Sequence, residues 1–413
     1  MFQQLLPKRI IPYLPKYYRL DLIKYMSNDS KKNGNNQEVP STDQFEKDSF
    51  QLSYETQEVI HLLEEAATFE DVDNKDWMTT PYPKDTKINV KKETVPKINP
   101  KDTSVILFPG QGIIKVGMIK KYLGYKNATE LFDVAKEIIN FDLLNLCLNG
   151  PQEKLNRTQF NQLATVVSSL AALEVIREEK PKVFESCIAT AGYSIGEITA
   201  LIFSGAINFE DGIRLAWTRG QAMQYASDIV PQGMLSVSYA SKAQVQKACA
   251  DAENWAMNIG VQTPVCKIAI YLTTERKIIA GNIEALKYIE EHKEQYGFIN
   301  LSRLPVSGAF HTPLMNPALK SVSKMLNSIE IHEPRCRVYS NQKAAPYSNV
   351  RLIKKLIMKQ IVSPVKWEQC LHKIYSRPPE IEFPQTYDIG SNGKMKTILK
   401  LVNVRAAQSC TVI

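Results

Sequence analysis

From Thr103 onward the chain alternates short β-branched runs with longer amphipathic ones, and this alternation constrains the fold more than any other feature. "SVILF" is followed by helical patterns from about Thr129 to Ile139 and from about Gln162 to Glu179, and then by "CIATA". Strands separated by helices return parallel through crossovers, so the pattern predicts an α/β protein with a parallel sheet. "RLPVS" (303–307), "RVYS" (337–340) and "TYDIG" (386–390) are further candidates for that sheet. Between Gly233 and about Asn300 the rhythm changes. There "MLSVSY", "KAQVQKACADAENWA", "CKIAIYLT", "KIIAG", "NIEALKYIEEHKEQY" and "FINLS" read β-α-β-β-α-β, the order of a ferredoxin-like unit. The expectation is a parallel-sheet, hydrolase-like core over 103–230 and 303–405 with an inserted ferredoxin-like small subdomain over 231–302.

The first 102 residues have a different texture. Residues 1–50 read as a basic, transit-like segment and a flexible linker, and 51–102 as an N-terminal extension with a short helix around Val59 to Phe69. Lys8, Arg9, Lys16, Arg19 and Lys24 face one acid, Asp21, with apolar residues between them. That composition suits a mitochondrial transit peptide and predicts a matrix protein, although the segment is poor in serine; a disordered basic tail is the alternative. Residues 26–50 are too polar to repay the entropy of ordering.

The whole chain has 51 Lys and Arg against 43 Asp and Glu, a net charge of +8 too mild and dispersed to imply nucleic acid. No apolar run approaches the roughly 18 residues that a membrane-spanning helix needs, so an integral membrane protein is not expected. The seven cysteines are scattered and include no CxxC pair. Neither a disulfide framework nor a metal site is expected, and a reducing compartment fits best.

In "ATAGYSIGEITALIFSG" (189–205), Ser194 sits between Gly192 and Gly196 where a strand gives way to a helix. A nucleophile elbow needs that context: glycines let strand and helix approach, and the helix N-terminus aims N–H groups at a developing oxyanion. Serine is also a favoured helix cap, so the motif alone leaves both readings open. A serine nucleophile requires a base. Of the five histidines, His61, His292, His332 and His372 lie in charged patterns or near helix ends, whereas His311 in "LPVSGAFHTPLM" follows a predicted sheet strand. The C-terminal edge of a parallel sheet is where such sites assemble. "FPGQG" (108–112) follows the first strand, and its glycines let the backbone turn around Gln111, whose amide is placed to meet an oxyanion.

The ordered set FPGQG (108–112), GYSIGE (192–197), TRGQAM (218–223), GAFHTPLM (308–315) and QIVSPVKW (360–367) resembles the malonyl-CoA:acyl carrier protein transacylases, most closely the mitochondrial form of animals. The likeness spans about 103–402 and includes "NGPQEKLNRT", "GMLSV" and "FPQTYDIG". It implies Ser194 and His311 as the catalytic pair and Gln111 with the Ile195 N–H as the oxyanion donors. A backbone carbonyl at Gln360 would orient the histidine in place of an aspartate. It also implies Arg219 as the residue that grips the malonyl carboxylate, work for which a planar guanidinium suits better than an ammonium. Met223, one turn on, would line the acyl pocket, and Phe310 resembles the bulky residue of members that prefer malonyl.

The implied reaction passes a malonyl group from malonyl-CoA to the phosphopantetheine thiol of acyl carrier protein through a malonyl-serine ester, in mitochondrial fatty acid synthesis, with no cofactor and no metal. Arg351, Lys354, Lys355, Lys359 and Lys366 offer charge to CoA phosphates or an acidic carrier. An α/β-hydrolase-type esterase or thioesterase, and a catalytically inactive carrier-binding module, are the competing readings. The chain departs from the family text at GQGII, where many relatives read GQGSQ, at Tyr193, at Gln162-Leu163-Ala164, and at GSNGKM, where GPG is usual.

Overall fold

The computed structural model describes residues 98–413. The segment 1–50 and nearly all of the 51–102 extension, with the expected helix at Val59 to Phe69, lie outside the described residues.

Strand β1 (Ser104–Phe108) is buried along its whole length, as a continuous apolar run must be in a sheet covered on both faces. Helix α1 (Ala128–Ile139) and the long helix α2 (Thr158–Glu179) lead to β2 (Cys187–Gly192), then α3 (Gly196–Phe203) and α4 (Phe209–Ile229). α2 is buried all round from Phe160 to Ile176 because other elements pack on every side of it, and even its polar stripe of Asn161, Gln162, Thr165, Ser168 and Ser169 is covered.

The chain next builds β3 (Gln232–Tyr239), α5 (Val245–Asn258), β4 (Cys266–Thr273), β5 (Arg276–Asn282), α6 (Ile283–Glu291) and β6 (Phe298–Arg303). It returns through β7 (Arg337–Ser340), β8 (Ala345–Pro346), α7 (Val350–Val362), β9 (Val365–Lys366), β10 (Gln385–Asp388), α8 (Lys394–Val402) and β11 (Cys410–Val412).

The strands form two sheets. The main sheet has the order β11-β10-β1-β2-β7-β8 and is parallel except for the β7–β8 pair. The second has the order β6-β3-β5-β4-β9, antiparallel except where β9, from the later part of the chain, joins β4. The β-α-β-β-α-β run over 232–303 thus matches the reading of the sequence, with one strand added from outside it.

One predicted element is corrected. "RLPVS" (303–307) is not a strand of the main sheet: Arg303 ends β6 in the second sheet, paired with Leu235, and 304–307 carry no strand. Pro305 has no N–H to give a ladder, and the β-branched texture there belongs to a turn. Among the described residues no helix is long and apolar enough to cross a membrane.

Register decides where chemistry can assemble. Phe108 pairs with Gly192, and Leu107 with both Ala191 and Asp388, so β1, β2 and β10 end level with one another. The loops FPGQG, GYSIG and GSNG therefore emerge along one crest, and Asn341 emerges there after β7, the other neighbour of β2.

Candidate active site

The GYSIG turn is shaped by backbone contact. A Cβ on Gly192 would lie 1.8 Å from the Gly196 carbonyl oxygen, and one on Gly196 would lie 2.4 Å from the Pro109 oxygen, so no side chain fits at either position. Ser194 is held at φ +54°, a left-handed conformation costly for serine and found where a site over-determines it. It does not cap α3, whose N-cap is Ile195 and which has no side-chain cap. Asn341 pins the turn: its Oδ1 accepts the Ser194 N–H at 2.8 Å and its Nδ2 donates to the Gly192 carbonyl at 2.8 Å.

His311, 2% exposed, also has a positive φ, +63°. It lies in the loop between β6 and the 3₁₀ turn Pro313–Ala318, not at the end of a main-sheet strand as the sequence suggested, and is anchored by its N–H to the Ile361 carbonyl at 3.1 Å. Its Nε2 is 2.8 Å from Ser194 Oγ and its Nδ1 is 2.6 Å from the Gln360 main-chain oxygen. A carbonyl only accepts, so Nδ1 carries the proton and the Nε2 lone pair faces the serine. Burial, and then the Arg219 guanidinium, push the imidazole down to about 3, so it is a neutral base at physiological pH.

Arg219, 1% exposed on α4, reaches the same place. One terminal nitrogen donates to Gln162 Oε1 at 2.6 Å; the other donates to Gln360 Oε1 at 2.9 Å and approaches Ser194 Oγ at 3.4 Å. Its Nε has no hydrogen-bond partner, and no carboxylate of the described residues touches it. Burial lowers its pKa to about 10, against the opposing attraction of Glu197. Met223 is buried one turn on, its sulfur accepting from Gln162 Nε2 at 3.6 Å, and Phe310 is buried beside His311.

The Gln111 carboxamide is tied sideways, Nε2 to Thr158 Oγ1 and Oε1 from Gln162 Nε2, both at 3.3 Å. The buried Ile195 N–H has no protein acceptor among the described residues. On the basic stretch Arg351, Lys355, Lys359 and Lys366 are exposed, whereas Lys354 donates to the Ile329 carbonyl at 3.1 Å.

The structure thus brings the half-buried Ser194 together with the buried Ile195, Arg219, Met223, Phe310, His311 and Gln360, and Gln162 links Gln111 to them. Sequence reasoning missed Asn341, Glu197 and Tyr347 and treated Gln162 only as a departure. Their signal was faint: a polar residue just after a strand, in "RVYSNQ", and a glutamate inside an otherwise apolar helix.

Residues 105–382 match the family described as acyl transferase domain. The chain belongs to that family. It is 46% identical over 76% of its length, and 83% of the relative's, to the Drosophila melanogaster protein named probable malonyl-CoA-acyl carrier protein transacylase, mitochondrial. The solved malonyl CoA-acyl carrier protein transacylase of Coxiella burnetii superposes with a TM-score of 0.68 at 25% identity, over 76% of this chain and 95% of that one. A type II polyketide malonyl-transacylase solved in complex with its acyl-carrier protein gives 0.66 at 25% identity, over 75% and 94%. Within the family the chain therefore stands with the malonyl-CoA-acyl carrier protein transacylases.

Proposed function

We propose that the protein transfers the malonyl group of malonyl-CoA to the phosphopantetheine thiol of acyl carrier protein, through an ester on Ser194. His311 Nε2 takes the Oγ proton as Oγ attacks the thioester carbon. The Ile195 N–H and the Gln111 amide stabilise the oxyanion, and the proton passes from His311 to the departing CoA sulfur. The carrier thiol then attacks the ester carbonyl by the reverse path, giving its proton to His311 and freeing Ser194. Gln360 orients the imidazole, Arg219 binds the malonyl carboxylate, and Met223 and Phe310 shape the acyl pocket. The reaction needs no cofactor and no metal.

One observation supports this reading above the others: a fully buried guanidinium stands 3.4 Å from the nucleophile, and among the described residues its Nε is unpartnered and no carboxylate touches it. Burying such a charge is costly unless an anion arrives to share it. An acyl group with a free carboxylate supplies that anion beside the serine; a simple ester or fatty acyl thioester does not.

The same reading takes 103–230 and 303–405 as a hydrolase-like α/β core, 231–302 as a ferredoxin-like small subdomain, and the matrix of mitochondria as the place of work in fatty acid synthesis. No nucleic acid takes part, and the protein is not an integral membrane protein. The exposed charges at Arg351, Lys355, Lys359 and Lys366 are offered as the carrier's landing surface. Incubation with radiolabelled malonyl-CoA and holo acyl carrier protein tests the proposal. Label on the carrier is the expected result, and release of most of it as free malonate would replace the transferase with a thioesterase.

A further inference from the structure

Glu197 opens α3 three residues after the nucleophile and is 0% exposed, yet the transfer mechanism gives it no task. Its Oε1 accepts from the Tyr347 hydroxyl at 2.5 Å and from the Asn341 N–H at 3.1 Å, and its Oε2 accepts from the Gln360 side-chain amide. That amide nitrogen also faces the Ser194 carbonyl at 3.0 Å and Asn341 Oδ1 at 3.2 Å, while the amide oxygen accepts from Arg219 at 2.9 Å. Every group on the nitrogen side is an acceptor, and the guanidinium on the oxygen side can only donate. The carboxamide therefore has one permissible orientation.

The ionised carboxylate enforces that orientation most strongly, because hydrogen bonds to ionised groups are about twice as strong as neutral ones, and burial, which raises Glu197 to about 7, confines that form to neutral pH and above. Glutamine at 197 could turn its own NH₂ toward Gln360. With only the neutral Ser194 carbonyl and Asn341 Oδ1 left to hold its nitrogen, the Gln360 amide is less strongly barred from flipping, and a flipped amide presents N–H to a guanidinium that also presents N–H, leaving Arg219 without its second fixed contact.

We propose that Glu197 is the positioning residue that sets acyl selectivity: by locking the Gln360 carboxamide with its oxygen toward Arg219, it holds beside Ser194 the guanidinium that reads the free carboxylate of the acyl group. The proposal rests on the malonyl-transfer reading. It separates two tasks of Gln360, whose main-chain oxygen serves His311 and whose side chain serves Arg219.

The readout is the ratio of kcat/KM for Ser194 acylation by malonyl-CoA to that by acetyl-CoA, which lacks the carboxylate. Glu197→Gln should lower this ratio about 10- to 100-fold, the worth of a hydrogen bond to a charged group. Gln360→Met, which keeps the main-chain carbonyl on His311, should lower it likewise. Adding Glu197→Gln to Arg219→Ala should lower the ratio no further. Proportional losses on both substrates, for either variant, would mean that Glu197 only braces the elbow and would overturn the proposal. Should Glu197→Gln fail to fold, Gln360→Met decides alone. Failure of the wild-type protein to form a malonyl ester would overturn the malonyl-transfer reading as well, whereas an unmoved ratio in a competent enzyme overturns this inference only.

Discussion

The crest of the main sheet and the small sheet over 232–303 are specified by different chemistry. In the small sheet Leu235 and Val237 point into an apolar cluster with Ile279, Leu286 and Ile289, while Ser236 and Ser238 alternate to the opposite face. At the crest Glu197, Arg219, His311, Asn341 and Gln360 are all buried, and each is fixed by named partners. A cluster defined by shape tolerates apolar exchange, whereas a polar network fails at the first unmatched donor. Damage to the small sheet should therefore register in stability, and damage to the crest in chemistry.

The sharpest break would come from Ser194→Ala. It should abolish malonyl-ester formation while leaving the melting temperature within a few degrees, because it removes one oxygen from a turn held by Asn341. Arg219→Ala should raise the barrier for malonyl-CoA by about 2–5 kcal/mol, as for truncation of a buried charge partner, with a smaller loss for acetyl-CoA; steady-state kinetics on both substrates checks it. On the other side of the comparison, Leu235→Ala should cost about 2–5 kcal/mol of folding stability, measured by denaturant titration, yet leave the malonyl-to-acetyl ratio of the folded protein unchanged. A shift in that ratio would show that the two regions are coupled.

Smaller effects sharpen the contrast further. Burial holds His311 near 3, below its ordinary 6.5, so between those values the unfolded chain binds the extra proton, and this contribution to stability is lost as pH falls through the window. Burial raises Glu197 to about 7 from 4.5; there the native state binds more, and its contribution is lost as pH rises toward 7. The two oppose each other in a melting curve, so the acylation rate is the better probe. With acetyl-CoA, kcat/KM should stay within about twofold from pH 7 to pH 5, where an ordinary histidine base would already be protonated. Least of all, Lys355→Glu or Lys359→Glu should raise the carrier KM a few-fold, more at low salt, without altering the malonyl ester.

The same contrast explains what the sequence made legible. Parallel-strand alternation, the β-α-β-β-α-β run and the GxSxG turn are local patterns, and the strands at 104–108, 187–192 and 337–340 follow directly from them. Ser194, His311 and Gln360 were legible because short motifs carry them. Asn341, Glu197 and Tyr347 were not, since each acts through hydrogen bonds to residues well over a hundred positions away, which no window of sequence contains. "RLPVS" misled for the opposite reason: its composition is strand-like, and only pairing reveals that Arg303 closes the other sheet.

On the proposed mechanism Ser194 carries the acyl group between two thiols. Mass spectrometry of peptides from protein mixed with malonyl-CoA, before and after addition of holo acyl carrier protein, tests it directly. The expected result is a malonyl ester on Ser194 that vanishes as the carrier gains the same mass. A label on another residue, or one that leaves Ser194 without reaching the carrier, would contradict it.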